Sequence, residues 1–235
     1  MGKIRRHRKG LIASLVLVVA VLAVGVPYAY IHWVEGDQPP PLSVDSVATA
    51  TPSAGVAEPV SDLEGGWVVG SGSQAGYRVP ETLAGQSVTA VGRTDGVTGS
   101  VLLTGSTVST GSISVDVASI SSDRSQRDSA FAGRIMQSSQ FPTATFTLTE
   151  AIDLGTVPAV GATVPATATG DLTLHGVTRP VSFPVTVKRS ASSVAVAGTV
   201  PITYADYQID NPSIGGFVSV GDGGSVEFLL VLTKK

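Results

Sequence analysis

Residues 170–187 read GDLTLHGVTRPVSFPVTV. Before His175-Gly176 the apolar side chains are Leu172 and Leu174; after it come Val181, Phe183, Val185 and Val187, with Ser182, Pro184 and Thr186 between them. Successive side chains of an extended chain point to opposite faces, so a period of two describes a strand with one buried and one wet face. Ala144, Phe146 and Leu148 alternate with Thr145, Thr147 and Thr149 in the same way. Similar runs cover 101–104, 113–117, 194–200 and 226–232. Ended by Gly, Asp or Pro turns such as Gly221-Asp222-Gly223-Gly224, they give roughly eight to ten strands.

One wet face per strand is the mark of antiparallel sheets rather than βαβ units. A sandwich and a closed barrel both satisfy it. A barrel removes its own edges, and strands of this length suit roughly eight around one interior. One stretch breaks the period: SSDRSQRDSAFAGRIM at 121–136. Ser121 or Ser122 can cap a helix there, with Asp123 in its first turn and Pro142 beyond its end. At 100° per residue, Arg124, Arg127, Phe131 and Arg134 share an arc of about 80°, with Asp128 and Ile135 on its flank.

The N-terminus is a different material. Residues 11–31, LIASLVLVVAVLAVGVPYAYI, are uncharged and as a helix span about 30 Å, a bilayer's hydrocarbon thickness. Lys3, Arg5, Arg6, Arg8 and Lys9 precede them and Glu35 and Asp37 follow. By the positive-inside rule this reads as a basic cytoplasmic tail (1–10), a single-pass signal anchor (11–31) and an extracytoplasmic remainder. A cleaved signal peptide is the competing reading, since Ala23-Val24-Gly25 offers a small-x-small site. Residues 32–65 form a linker, rich in proline from Pro39 to Pro59, with no period that could bury a face. The folded domain then occupies 66–235, a size that supports one proper core.

Composition excludes several functions. Five of the 15 Lys and Arg precede the apolar segment while all 18 Asp and Glu follow it, leaving ten against eighteen, a net of −8. Such a domain lacks the basic face that phosphate neutralisation needs, so nucleic acid is not its partner. With no cysteine, disulfides, thiolate metal sites and a Cys nucleophile are out. His175 is the one histidine of the domain, so a protein-only zinc site would need an unusual carboxylate set. GSGSQAG at 70–76 does not fit the dinucleotide fingerprint, and no GxSxG elbow occurs. His175 reads as an imidazole bonded to backbone near a turn, with a place on a pocket rim and a hydrolase base as rivals. The helical arginines read first as partners of Asp123 and Asp128, and second as a phosphate clamp. The inward face is continuously apolar, which suits either a filled core or a tunnel for one apolar ligand.

VTGSVLLTG (97–105), SISVDVASISSDRSQRD (112–128), QFPTATFTLTE (140–150), GDLTLHGVTRPVSF (170–183) and GSVEFLLVL (224–232), in this order, resemble the YceI-like proteins, often described as polyisoprenoid- or lipid-binding. The anchor and Pro-rich linker look like variants found in high-GC Gram-positive bacteria. The resemblance implies an all-β, eight-stranded antiparallel lipocalin-like barrel, one short helix near its mouth, and an extended cavity for a long isoprenoid chain. GSQAGYRVPETLAG at 72–85 replaces the family's usual Phe-rich segment followed by His, which bears on cavity shape and ligand identity. Cavity and mouth residues are then expected at Arg127, Asp128, Phe131, Phe141, Phe146, Leu148, Leu172, Leu174, His175 and Phe183. The function implied is non-enzymatic binding, transport or sequestration of a polyprenyl phosphate or quinone type lipid at the outer face of the membrane. No cofactor or metal is expected, and the family leaves room for a homodimer. A filled barrel serving as an envelope structural or stress-response module is the alternative, and a His175-dependent hydrolase the third reading.

Overall fold

The computed structural model describes residues 21, 38–47, 63–83, 85–216 and 218–235. Apart from Val21, the basic tail and the apolar segment 11–31 lie outside the described residues. No helix among the described residues is long and apolar enough to cross a membrane.

The first strands are β1 (Gly65–Val69), β2 (Gln74–Leu83), β3 (Gln86–Thr94), β4 (Val97–Thr104), β5 (Thr107–Asp116) and the short β6 (Ser121–Ser122). After helix α1 (Ser125–Ala130) come β7 (Thr143–Leu148), β8 (Ile152–Asp153), β9 (Thr163–Leu174), β10 (Val177–Arg189), β11 (Ser193–Thr203), β12 (Val218–Val220) and β13 (Gly223–Lys234). The opening stretch is the hairpin β9–β10, paired from Val177↔Leu174 to Lys188↔Thr163. Its loop is His175-Gly176, both at positive φ (50° and 75°), the left-handed backbone whose twist matches that of a two-residue hairpin.

Eight strands close a barrel in the order β1-β4-β5-β7-β9-β10-β11-β13 and back to β1. Strand β13 is shared. Its last residues pair with β1, Leu232↔Val69 to Lys234↔Trp67, while Ser225 to Leu229 pair with β2, and β3 lies on the far side of β2. The free edge of β3 carries β6 through Gly92↔Ser122 and Arg93↔Ser121. At this end α1 and a π-helical turn, Phe131–Ile135, lie over the interior, with the Phe131 ring stacked on Tyr77 of β2 at 4.8 Å.

The helix differs from the expected 121–136. Ser121 and Ser122 belong to β6, α1 starts at Ser125, and the preceding Arg124 makes no side-chain cap bond. The Ser122 hydroxyl instead donates to Asp128 Oδ1 at 2.6 Å, and the Ser122 amide donates to the same oxygen at 2.8 Å. Asp128 therefore ties the start of the helix to the sheet edge.

Within the expected linker, residues 38–47 lie as a strap on the outer wall. Arg78 donates through Nε to Glu227 Oε2 (3.0 Å) and through Nη2 to the Pro39 carbonyl (2.7 Å). Arg93 donates to Glu227 Oε1 (2.8 Å) and to the Pro40 carbonyl. Further along, Val44 is buried against Ala195, Ala197 and Leu229 on the outward faces of β11 and β13, and Lys188 meets Asp45 at 2.9 Å. Ser43 accepts from the Asp45 amide and starts the 3-10 turn Val44–Ser46 that presents Val44.

Candidate functional site

Inward-facing residues leave two adjoining chambers. The inner one, about 190 Å³, has walls that include Trp67, Leu103, Phe146, Phe183, Phe228 and Leu230. The outer one, about 500 Å³, lies beneath α1 and has Tyr77, Val79, Phe131 and Tyr204 on its wall. Ala75, Val115, Ala144, Leu174 and Val226 line both. Aromatic rings cross the inner chamber in a chain of edge contacts from β7 through β10 to β13: Phe146 to Phe183 at 5.3 Å, then Phe183 to Phe228 at 5.9 Å. The wall is thinned to admit them. A Cβ on Gly198 would stand 2.7 Å from the Phe228 ring, and one on Gly170 2.6 Å from that of Phe146.

Polar groups on the inner wall are few, and two of them donate to backbone carbonyls. The Trp67 indole N–H donates to the Leu63 carbonyl at 2.9 Å, and the buried Arg189 donates to the Pro158 carbonyl at 3.2 Å. A chamber with such walls holds apolar matter better than water, which needs two or more polar partners. The outer chamber mixes apolar walls with Glu81, Arg124, Arg127 and Arg134 on its helical side. Arg127 is paired with Asp123 and lies 3.6 Å from Glu81, and Arg134 donates to the Pro212 carbonyl at 3.2 Å. Asp123 is thus a partner that the first of the two sequence readings named, whereas Asp128 bonds to Ser122. Burial pushes the Tyr77 and Tyr204 hydroxyls up to about 12, against the Arg127 charge at Tyr77 and with the Glu81 charge adding to it at Tyr204. Both phenols stay neutral at physiological pH.

Of the ten expected residues, Arg127 and Phe131 lie on the outer wall, Phe146, Leu148, Leu172 and Phe183 on the inner wall, and Leu174 on both. Asp128, Phe141 and His175 are on neither. Phe141 and His175 pack edge to face at 4.6 Å, and His175 Nδ1 lies 3.2 Å from the Tyr207 carbonyl. That geometry holds a turn in place. Among the described residues no group of three His, Asp or Glu side chains could hold a metal ion. Walls of this kind can enclose an apolar molecule. Sequence reasoning missed Tyr77, Trp67 and Tyr204, which stand in segments without clean alternation. It also passed over Val226, Phe228, Leu230 and Leu232, whose period of two was legible.

The YceI-like domain family matches residues 68–232. A polyisoprenoid binding domain from Saccharophagus degradans, implicated in plant cell wall breakdown, superposes with a TM-score of 0.60 at 19% identity, over 73% of this chain and 99% of that one. BcnA of Burkholderia cenocepacia superposes with 0.51 at 22% identity, over 68% and 95%. A search of curated proteins finds no match. The matched span holds the lining of both chambers except Leu63 and Trp67, and it leaves out residues 1–67, so the N-terminal segment rests on its own sequence. By motif order, barrel topology and the family match together, the chain belongs to the YceI-like family.

Proposed function

We propose that the protein binds, without chemistry, the chain of an isoprenoid lipid of the polyprenyl phosphate or quinone type, and carries or sequesters it at the outer face of the membrane. One observation carries this: two chambers of about 190 and 500 Å³ adjoin at five shared apolar lining residues and give a largely apolar interior. The polyisoprenoid-binding relative of the same fold supports the choice of ligand class. At about 25 cal/mol per Å², an isoprene unit of roughly 100 Å² gains about 2 kcal/mol on enclosure, before entropic costs. The rival reading, a filled barrel acting as an envelope module, has to account for these volumes.

Native mass spectrometry of protein purified from its own cells tests the proposal. A retained adduct that yields isoprenoid fragments is the expected result. An empty barrel that also takes up no added polyprenol or quinone overturns it.

A further inference from the structure

The strap reaches the barrel at the end where the outer chamber lies. Gln38 Nε2 is 3.5 Å from Asp123 Oδ2, just before α1, and the next two residues are held by Arg78 and Arg93 through their carbonyls. The apolar segment ends at Ile31. Seven peptide steps lead from there to Gln38 and reach at most about 25 Å. A linker free through residue 65 would let either end of the barrel face the membrane; one fastened from residue 38 onward does not.

Exposure alone does not choose the end. Ile214 is 54% exposed beside the outer chamber, but Leu102 (43%) and Val160 (36%) are exposed towards the opposite end of the barrel. The position of Gln38 decides between them. Ile214 also has a property the other two lack: it lines the outer chamber while facing solvent. It sits on a narrow loop closed by the Ile214↔Val218 bridge, and the neighbouring Pro212 carbonyl accepts from Arg134. An exposed apolar tip beside a cation, continuous with an apolar cavity, suits contact with lipid chains below and anionic headgroups around them.

Resting on the reading of residues 11–31 as a membrane segment, we propose that the 38–47 strap holds the barrel with its Ile214 rim against the bilayer, so that lipid passes between membrane and outer chamber without crossing water. The chain has no cysteine, so Ile214→Cys and Val160→Cys each provide one labelling site. The full chain, carrying an environment-sensitive fluorophore at either site, is reconstituted into phosphatidylcholine–phosphatidylglycerol vesicles containing nitroxide-labelled lipid. Quenching several-fold stronger at position 214 than at 160 is expected, and a long Gly-Ser insertion between Asp37 and Gln38 should narrow the difference. Equal quenching, or stronger quenching at 160, in protein that floats with the vesicles overturns the orientation while leaving the membrane reading intact. Protein that does not float with vesicles overturns both, and a mature chain starting near residue 26 would identify the cleaved leader as the cause.

Discussion

Strand β13 has two faces, and both are buried for opposite reasons. Val226, Phe228, Leu230 and Leu232 point inward and line space that the protein leaves unfilled. Glu227 and Leu229 point outward, yet Glu227 is 1% exposed, because two arginines and the strap close over it. The inner face is apolar and hollow, and the outer face is charged and filled. Alternation along a strand reports which residues share a face; it does not report which face meets water.

The largest change to this contrast should come from Glu227→Gln. It leaves Arg78 and Arg93 without their carboxylate, for which a loss of about 3–5 kcal/mol is expected, read as a lower denaturant midpoint together with faster proteolysis at residues 38–47. An unchanged midpoint would mean that the outer face is held by apolar contact alone. On the inner face, Phe228→Ala removes one end of the ring chain. We expect about 3 kcal/mol of lost stability in the lipid-free protein, with part of it recovered when a longer polyprenol fills the enlarged chamber. A loss that no ligand reduces would argue for a filled interior.

Alkaline titration probes the inner face further. The Tyr77 hydroxyl is raised from 10.0 to about 12 by burial, so its stabilising preference for the neutral form is fully present below pH 10 and is lost as pH rises towards 12. Stability should fall across that window, and Tyr77→Phe should flatten the fall; identical alkaline limbs would place the effect elsewhere. Smaller still is Val44→Ala under the strap, at about 1–2 kcal/mol. Asp45→Ala should change the melting temperature scarcely at all, since Asp45 is 78% exposed in its pair with Lys188 and such pairs contribute about 0–1 kcal/mol.

The strands and their faces were legible because their signal is periodic; closure into a barrel rested on the resemblance to the YceI-like family. Phe183, Val185 and Val187 could be assigned to one face from spacing alone, and the structure puts them on the inner wall. The same regularity would have found Phe228 and Leu230, had the closing strand been read for its cavity face. The strap was illegible because its attachment runs through the backbone: the Pro39 and Pro40 carbonyls are the acceptors, and a carbonyl leaves no trace in a sequence. Leu42, Val44 and Val47 are the aliphatic residues there, and three in so short a stretch set no period. Ser121 and Ser122 misled for a related reason. A serine before an acidic first turn has the chemistry of a cap, but these two pair with β3, and strand pairing across a gap of some thirty residues is invisible to local rules.

Closing the strap has an order in time. Residues 38–47 are among the first of the chain to be made, but the carboxylate that anchors Arg78 and Arg93 belongs to the last strand, 134 residues beyond Arg93. Contacts so distant in sequence carry a loop-closure cost that makes them slow to form. Until Glu227 has been synthesised and β13 has joined the sheet, the two guanidinium groups lack their shared anion and the strap has no finished surface to grip. A truncated or unclosed barrel is therefore expected to keep a loose N-terminal segment, open to proteolysis, which a finished one draws tight.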